Sequence, residues 1–277
     1  MKKFFGFCIV AALLLVCAAS GWAGDQSELS ATFFDVGKGD CILLRQGGHA
    51  MMIDTGFEDT EPSVAASLDR LGVKHLDCLL LTHYDKDHVG GAAGLLEKLD
   101  VKRVCGPDYI AHGEAYNEFL AALEERGLRL ETVRKQTEFR LGGLDVVFYP
   151  PLLHEGMVPN DYSVICSVKF GERRLLFLGD ATELRMGDFL PFAGGRCDLV
   201  KLPHHGIRLS KSVNFRRLLT LTKPQYCVAT NSAQFPLSPG SKLVLEIFRV
   251  RAFETQNGPV YLLCDGKGLR LTQQSAR

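Results

Sequence analysis

Four side chains able to ligate a metal, His83, Asp85, Asp87 and His88, fall within six residues, directly after the apolar run 78–81 and before Val89-Gly90-Gly91. Two imidazoles and two carboxylates packed this closely at a strand end repel one another or stay poorly solvated, unless a divalent cation or hydrogen-bonding partners compensate them. The mixed nitrogen and oxygen set suits Zn²⁺ or Mn²⁺, whereas a closed structural zinc site would favour cysteine. The plainer alternative is a polar loop that caps a helix with Asp87 as N-cap, but a cap needs only one such residue.

Four further segments place reactive groups at strand ends. The loop Phe34-Asp35-Val36-Gly37-Lys38-Gly39-Asp40 joins two strands through glycines that permit positive φ and close backbone approach. Ile53-Asp54-Thr55-Gly56 and Leu178-Gly179-Asp180 each put a carboxylate at the end of an apolar run. For Asp40 and Asp54 a tight turn with a self-satisfying aspartate is an equal alternative. Lys201-Leu202-Pro203-His204-His205-Gly206 sets adjacent histidines after another strand, where ligand or catalytic use is the better expectation, imidazole being the commonest metal ligand.

These segments need a scaffold. Strand-like patterns occur at 29–34, 41–45, 49–53, 78–81, 101–104, 129–133, 137–140, 144–149, 163–170, 173–178, 199–202, 226–230 and 260–264. Helical periodicity occurs at 62–71, 92–99, 115–126, 183–190, 213–219 and 241–250. Many strands with interspersed helices imply two sheets packed on each other inside helical layers, in one compact domain.

Composition narrows the function classes. The first 23 residues, with Lys2, Lys3, an apolar stretch and Gly21-Trp22-Ala23, read as a secretory signal peptide. They leave a domain over 24–277 with no further membrane span and a periplasmic or secreted location. The whole chain carries 32 Lys and Arg against 32 Asp and Glu. A protein that binds nucleic acid mainly by counterion release needs a basic excess, so nucleic acid stays possible as a partner without support from net charge. Seven cysteines remain beyond the leader, mostly in apolar runs and with no CxxC pair, which favours buried thiols over a disulfide framework.

The order of the motifs, DVGKGD, IDTG, THYDKDHVGG, NDYSV, LGD and LPHHG, resembles the metallo-β-lactamase superfamily over roughly 30–272. More narrowly, it resembles the C-terminal β-lactamase-like domain of the ComEC DNA-uptake family and its stand-alone relatives. The resemblance implies an α+β fold, the four-layer αββα sandwich, with two divalent ions, Zn or Mn, at one edge. Carried over residue by residue, His83 and Asp85 would bind one ion, Asp87 and His88 the second, and Asp180 would bridge. One of His204 and His205 would complete the set; His204 is taken as ligand and His205 as catalytic, with the reverse left open. Asp85 replaces the second histidine of the lactamase-type motif, as in the ComEC-like branch, and shifts preference toward harder ions.

No histidine stands at the position between motifs, where Asn160 and Ser163 are placed as substrate-binding residues, as is Lys201. His154 is a further loop candidate, and 235–239 lacks the histidine often found there. The implied reaction is hydrolysis of a phosphodiester, by a phosphodiesterase or nuclease, through a metal-bridged hydroxide oriented by Asp87 or Asp180. Lys38, Lys201 or His205 would stabilise the developing charge. Hydrolysis of a carboxylic ester, lactone or amide, and a non-catalytic protein with a vestigial site, are the alternatives.

Overall fold

A computed structural model describes residues 27–274; the leader expected over 1–23 lies outside the described residues. The first half runs β1 (Leu29–Phe33), β2 (Cys41–Gln46), β3 (His49–Thr55), α1 (Glu61–Arg70), β4 (His75–Leu76), β5 (Cys78–Leu80), α2 (Lys86–Val89), α3 (Ala92–Lys98), β6 (Asp100–Val101), β7 (Val104–Gly106), α4 (Glu114–Glu125) and β8 (Leu130–Thr132). The second half runs β9 (Thr137–Leu141), β10 (Leu144–Tyr149), β11 (Ile165–Phe170), β12 (Arg173–Phe177), α5 (Glu183–Phe189), β13 (Leu199–Lys201), α6 (Val213–Thr222), β14 (Tyr226–Ala229), α7 (Pro239–Ile247), β15 (Arg251–Glu254), β16 (Val260–Cys264) and β17 (Leu269–Gln273).

Side-chain alternation along these strands builds the layers. An eight-stranded sheet, β17-β16-β1-β2-β3-β5-β7-β8, faces a seven-stranded sheet, β15-β14-β13-β12-β11-β10-β9. On β3, Met51 and Ile53 point into the space between the sheets, where they join Val146, Phe148, Val168, Leu175 and Phe177 of the opposite sheet. Met52 points the other way, toward Val64, Leu68, Leu95, Leu96 and Phe119 of α1, α3 and α4. The outer face of the second sheet is covered likewise, with Leu176 and Val200 against Phe189, Phe215, Leu218 and Leu245 of α5, α6 and α7. The result is the αββα sandwich, an α+β fold.

The sequence pattern misplaces a few elements for local reasons. The run expected at 101–104 is two strands, β6 and β7, broken at Lys102 and Arg103, with β6 pairing only to β4 in a separate two-stranded ladder. Helix α7 begins at Pro239 rather than 241, because the Ser238 hydroxyl accepts the Ser241 amide and Pro239 fits the first turn. The edge strands β15 and β17 were not expected. Phe253 is the one buried residue of the two strands, and β15 has too few apolar positions to alternate.

The parallel pairings decide where chemistry can sit. Strands β3, β5 and β7 run parallel in the first sheet, and β12, β13, β14 and β15 run parallel in the second. Their C-terminal ends gather the loops that carry Asp54, 81–88, Asp180, His204-His205 and Thr230 at one edge of the sandwich.

Phe33 of β1 and Phe177 of β12 are fully buried and meet across the two sheets with ring centroids 6.1 Å apart. Truncating Phe177 to alanine should cost about 3–5 kcal/mol, the usual range for a large aromatic in a packed core. Urea unfolding would measure it, and a loss below about 1 kcal/mol would mean that the sheets are not in firm contact there.

Candidate metal centre

Asp87, His88, Asp180 and His205 each offer a ligand atom, and these four atoms lie within 4.8 Å of one another, all from buried residues. They come from both sheets. His88 Nε2 is 3.2 Å from Asp180 Oδ1, while His205 Nε2 is 3.2 Å from Asp180 Oδ2 and 3.4 Å from Asp87 Oδ2. Asp180 therefore stands between the two imidazoles.

Each imidazole is held from behind by a buried carboxylate. His88 Nδ1 lies 2.8 Å from Asp54 Oδ2, and Asp54 also accepts the Thr82 amide and hydroxyl, each at 2.7 Å. His205 Nδ1 lies 3.1 Å from Thr230 Oγ1 and 3.3 Å from Asp40 Oδ1, and the Thr230 hydroxyl donates to that same oxygen at 2.5 Å. A carboxylate on Nδ1 fixes the tautomer and turns Nε2 toward the cluster, the arrangement that orients histidine ligands in metal sites. Asp40 and Asp54 are thus orienting groups rather than self-satisfied turns. Their strand-end motifs were visible in the sequence, but the partner of each lies 28 or more residues away.

The local backbone is shaped to this end. His204 and His205 both adopt left-handed conformations, φ 47° and 55°, inside the turn Pro203–Gly206, and Asp54 does so at φ 55°. Each such residue costs about 1–2 kcal/mol and persists only where its surroundings fix it. Gly39 is required for close approach, since a Cβ there would lie 2.6 Å from the Asp87 carbonyl oxygen, to which nothing larger could pack.

The two adjacent histidines have different places. His205 is buried in the cluster, whereas His204 is 41 % exposed, with Nε2 3.8 Å from Asp180 Oδ2. Of the two histidines, which the sequence left open as ligand, it is His205 whose Nε2 joins the four convergent atoms, while His204 lies at the mouth. His83 is buried beside His88, ring centroids 4.1 Å apart, and Asp85 Oδ2 lies 3.6 Å from its Nε2. These two form an outer pair next to the four convergent groups. Asp85, not Asp87, occupies the N-cap position of α2, and its side chain makes no capping bond.

Lys201 is fully buried, ion-paired to Asp40, and donates to the Gly179 carbonyl at 3.1 Å, so it lies beneath the cluster where no substrate reaches. Ser163 is buried as well, its hydroxyl accepting the Asp180 amide at 3.2 Å. Asn160 sits half-buried in the turn Pro159–Tyr162, one of whose carbonyls, its own, accepts the Ser163 amide. Arg185, which the sequence reading passed over, holds this segment by donating to the Ser163 and Tyr149 carbonyls at 2.8 and 2.7 Å. His154 is exposed and turned to Asp188, 2.9 Å away. Lys38 reaches Asp87 Oδ2 at 2.8 Å and is partly exposed.

The donor set fits a metal. Among the described residues, His83 Nε2, His88 Nε2, His205 Nε2 and Asp180 Oδ1 are buried without a hydrogen bond, which is costly unless a cation takes those lone pairs. Burial alone would raise the pKa of Asp180, but His205 and His88 hold it well below the carboxylate range; the same contest leaves Asp87 low, through His205, His88 and Lys38. Burial would lower the two imidazoles, yet Asp180 and Asp54 push His88 upward, and Asp180, Asp40 and Asp87 push His205 up to about 9. For His204, at the mouth, burial prevails and the pKa falls.

A cation at the Nε2 atoms of His88 and His205 must displace their protons. Metal affinity should therefore rise with pH, about tenfold per unit for each imidazole that must lose a proton, with the His205 contribution levelling off above about 9. In the metal-free chain the sign is opposite. The raised pKa contributes stability that is complete below the ordinary histidine value of 6.5 and lost as pH rises through about 9. Zinc titration by competition with a chelator at pH 6.5 and 8.5, beside melting curves of the chelated protein, measures both; an affinity flat across that interval would contradict the account.

Residues 34–224 match the metallo-beta-lactamase superfamily profile. The competence protein ComA of Neisseria gonorrhoeae is 28% identical over 211 residues, 74% of this chain and 27% of the relative. ComE operon protein 3 of Bacillus subtilis is 26% identical over 210 residues, 69% of this chain and 27% of the relative. The chain thus spans about a quarter of the length of these curated relatives. The metallo-beta-lactamase fold protein YhfI of Bacillus subtilis superposes with a TM-score of 0.55 at 12% identity, covering 82% of this chain and 96% of its own, a likeness of fold. With the profile spanning most of the chain and the cluster at the edge of an αββα sandwich, the protein belongs to the metallo-beta-lactamase superfamily and is similar to the competence proteins of the ComEC family.

Proposed function

We propose that the chain is a metal-dependent phosphodiesterase. The observation that carries this reading is the convergence of Asp87, His88, Asp180 and His205, a buried donor set of two nitrogens and two carboxylates with Lys38 beside it at the surface. Asp87, His88 and His205 would hold one ion and His83 and Asp85 another, with Asp180 shared. When bound, divalent ions such as Zn²⁺ or Mn²⁺ would supply hydroxide near neutral pH and offset negative charge on the attacked group.

The remaining roles fall to the chain itself. Asp54 and Asp40 keep Nε2 of His88 and His205 directed inward. Lys201 neutralises Asp40 inside the fold, so that carboxylate orients His205 without adding an uncompensated charge. At the mouth, Lys38 and His204 present N–H groups to an anionic oxygen, and both reach solvent. A phosphodiester keeps a negative charge throughout hydrolysis, which suits a cationic ammonium at that position. The names of the relatives, a competence protein and a competence-operon protein, are consistent with a phosphodiester substrate.

We also propose that residues 1–23 direct export and that the catalytic domain follows from Gly24. Expression with intact protein recovered outside the cytoplasm, and a mature N-terminus at Gly24, is the expected result; an unprocessed N-terminus would remove the export proposal.

The central test is turnover of bis(p-nitrophenyl) phosphate by the Mn²⁺- or Zn²⁺-loaded protein. Asp180→Ala should lower kcat/KM by roughly 10³-fold or more, in keeping with loss of the shared ligand, while the fold persists. His205→Ala should lose metal as well as rate; His204→Ala should keep the metal of the four-ligand cluster and lose about 10-fold to 100-fold in rate. A folded, metal-loaded protein that cleaves a phenyl ester and no phosphodiester would replace this reading with carboxylic ester hydrolysis.

A further inference from the structure

Formal neutrality conceals an uneven distribution of charge along the chain. Residues 53–125, which include α1 to α4 over the eight-stranded sheet, carry 15 Asp and Glu against 6 Lys and Arg. Residues 196–251, which include α6 and α7 over the seven-stranded sheet, carry 10 Lys and Arg against 2 Asp and Glu. These layers lie on opposite faces of the sandwich, and the metal-type cluster takes residues from both sheets at the edge between them. Net charge is therefore a poor guide to partners here, because a charged ligand responds to the local field.

The two sides of the cluster differ accordingly. An open groove of about 700 Å³ beside Asp85 and Asp87 is lined by Glu58, Asp59 and Glu114 as well as Lys38 and Lys86, so away from the cluster its lining is more acidic than basic. On the other side, Arg208 follows His205 by three residues, a separation that the chain can stretch to at most about 11 Å. Arg208 is exposed and left-handed at φ 57°, and it opens the turn Leu209–Lys211, whose Lys211 is also exposed. Among the described residues neither side chain has an ion-pair or hydrogen-bond partner.

The turn itself is rigidly supported. Arg216 donates to the carbonyls of Ser210 and Ser212 at 2.8 and 3.3 Å, and Glu183 accepts the Ser212 hydroxyl at 2.5 Å and the Asn214 amide at 2.7 Å. Two free cations are thus held on a braced, strained turn next to a cluster ligand.

We propose that Arg208 and Lys211 contact the backbone phosphates of a nucleic-acid strand whose reacting phosphate lies at the cluster. The reach from His205 to Arg208 is short enough for the cluster and the turn to meet neighbouring phosphates of one strand. The catalytic part of this proposal rests on the phosphodiesterase reading; the binding part does not.

The test uses the metal-loaded full chain and a fluorescent single-stranded phosphorothioate 12-mer, with affinity measured by anisotropy across salt concentrations. The pair Arg208→Gln with Lys211→Gln should weaken binding at least 10-fold at low salt. It should also reduce the slope of log affinity against log salt by about 1.4, near 0.7 for each single-strand contact. Its melting temperature, and its kcat/KM for bis(p-nitrophenyl) phosphate, should match wild type, while cleavage of an unmodified 12-mer falls in parallel with binding. Unchanged affinity and slope in the double variant would overturn the proposal. So would a wild type that binds phosphatidylglycerol vesicles but no oligonucleotide. Binding that depends on both residues in a protein that hydrolyses neither substrate would leave the proposal standing and remove the phosphodiesterase reading.

Discussion

Burial of four carboxylates at one edge of the sandwich is the constraint around which the molecule is arranged. Asp40, Asp54, Asp87 and Asp180 are all shielded from water, and ionised groups taken out of water are costly unless paired and hydrogen-bonded. The fold meets that cost with Lys201 inside, Lys38 at the rim, and two imidazoles drawn toward the charged form by the carboxylates around them. Bound cations would take over the role of those protons. The same residues that make the site costly to fold in isolation are the ones that would give it affinity for a divalent ion.

The arrangement also ties the two sheets together. The apolar core joins them in the middle through Phe33, Phe177 and their neighbours, but at the site edge the links are polar. Asp40, from the loop between β1 and β2, pairs with Lys201 at the end of β13 and accepts from Thr230 just after β14. His88 meets Asp180 across the same gap, and the Val164 amide donates to the Thr82 carbonyl at 2.8 Å. A shift of one sheet against the other would break these contacts as a group, so the site and the sandwich specify one another.

Much of this is legible in the sequence, and the limit has a physical form. The strand runs and the alternation on β3 expose the layers, because burial acts residue by residue. The ligand types in 83–88 and 204–205 show the chemistry, because few other contexts tolerate that density of imidazole and carboxylate. What the sequence leaves open depends on direction. His204 and His205 are identical as residues, and only the left-handed turn decides that His205 points inward. Lys201 lies next to the same motif and looks available to a substrate, but its pairing with Asp40 depends on residues 161 positions apart meeting at the sheet edge. Asp54 at a strand end could equally close a turn until Thr82 and His88 are brought to it.

Charge shows the same limit at a larger scale. A total over the chain treats the acidic segment 53–125 and the basic segment 196–251 as if they cancelled, yet their helices cover opposite faces of two sheets whose core excludes water. Screening over roughly 8–10 Å at physiological salt keeps a ligand at one surface from sensing the other. A molecule approaching the cluster therefore meets an unevenly charged surface, and the turn after His205 adds two exposed cations close in the chain to a cluster residue. Orientation of an extended anionic substrate can follow from that asymmetry without any net charge on the protein.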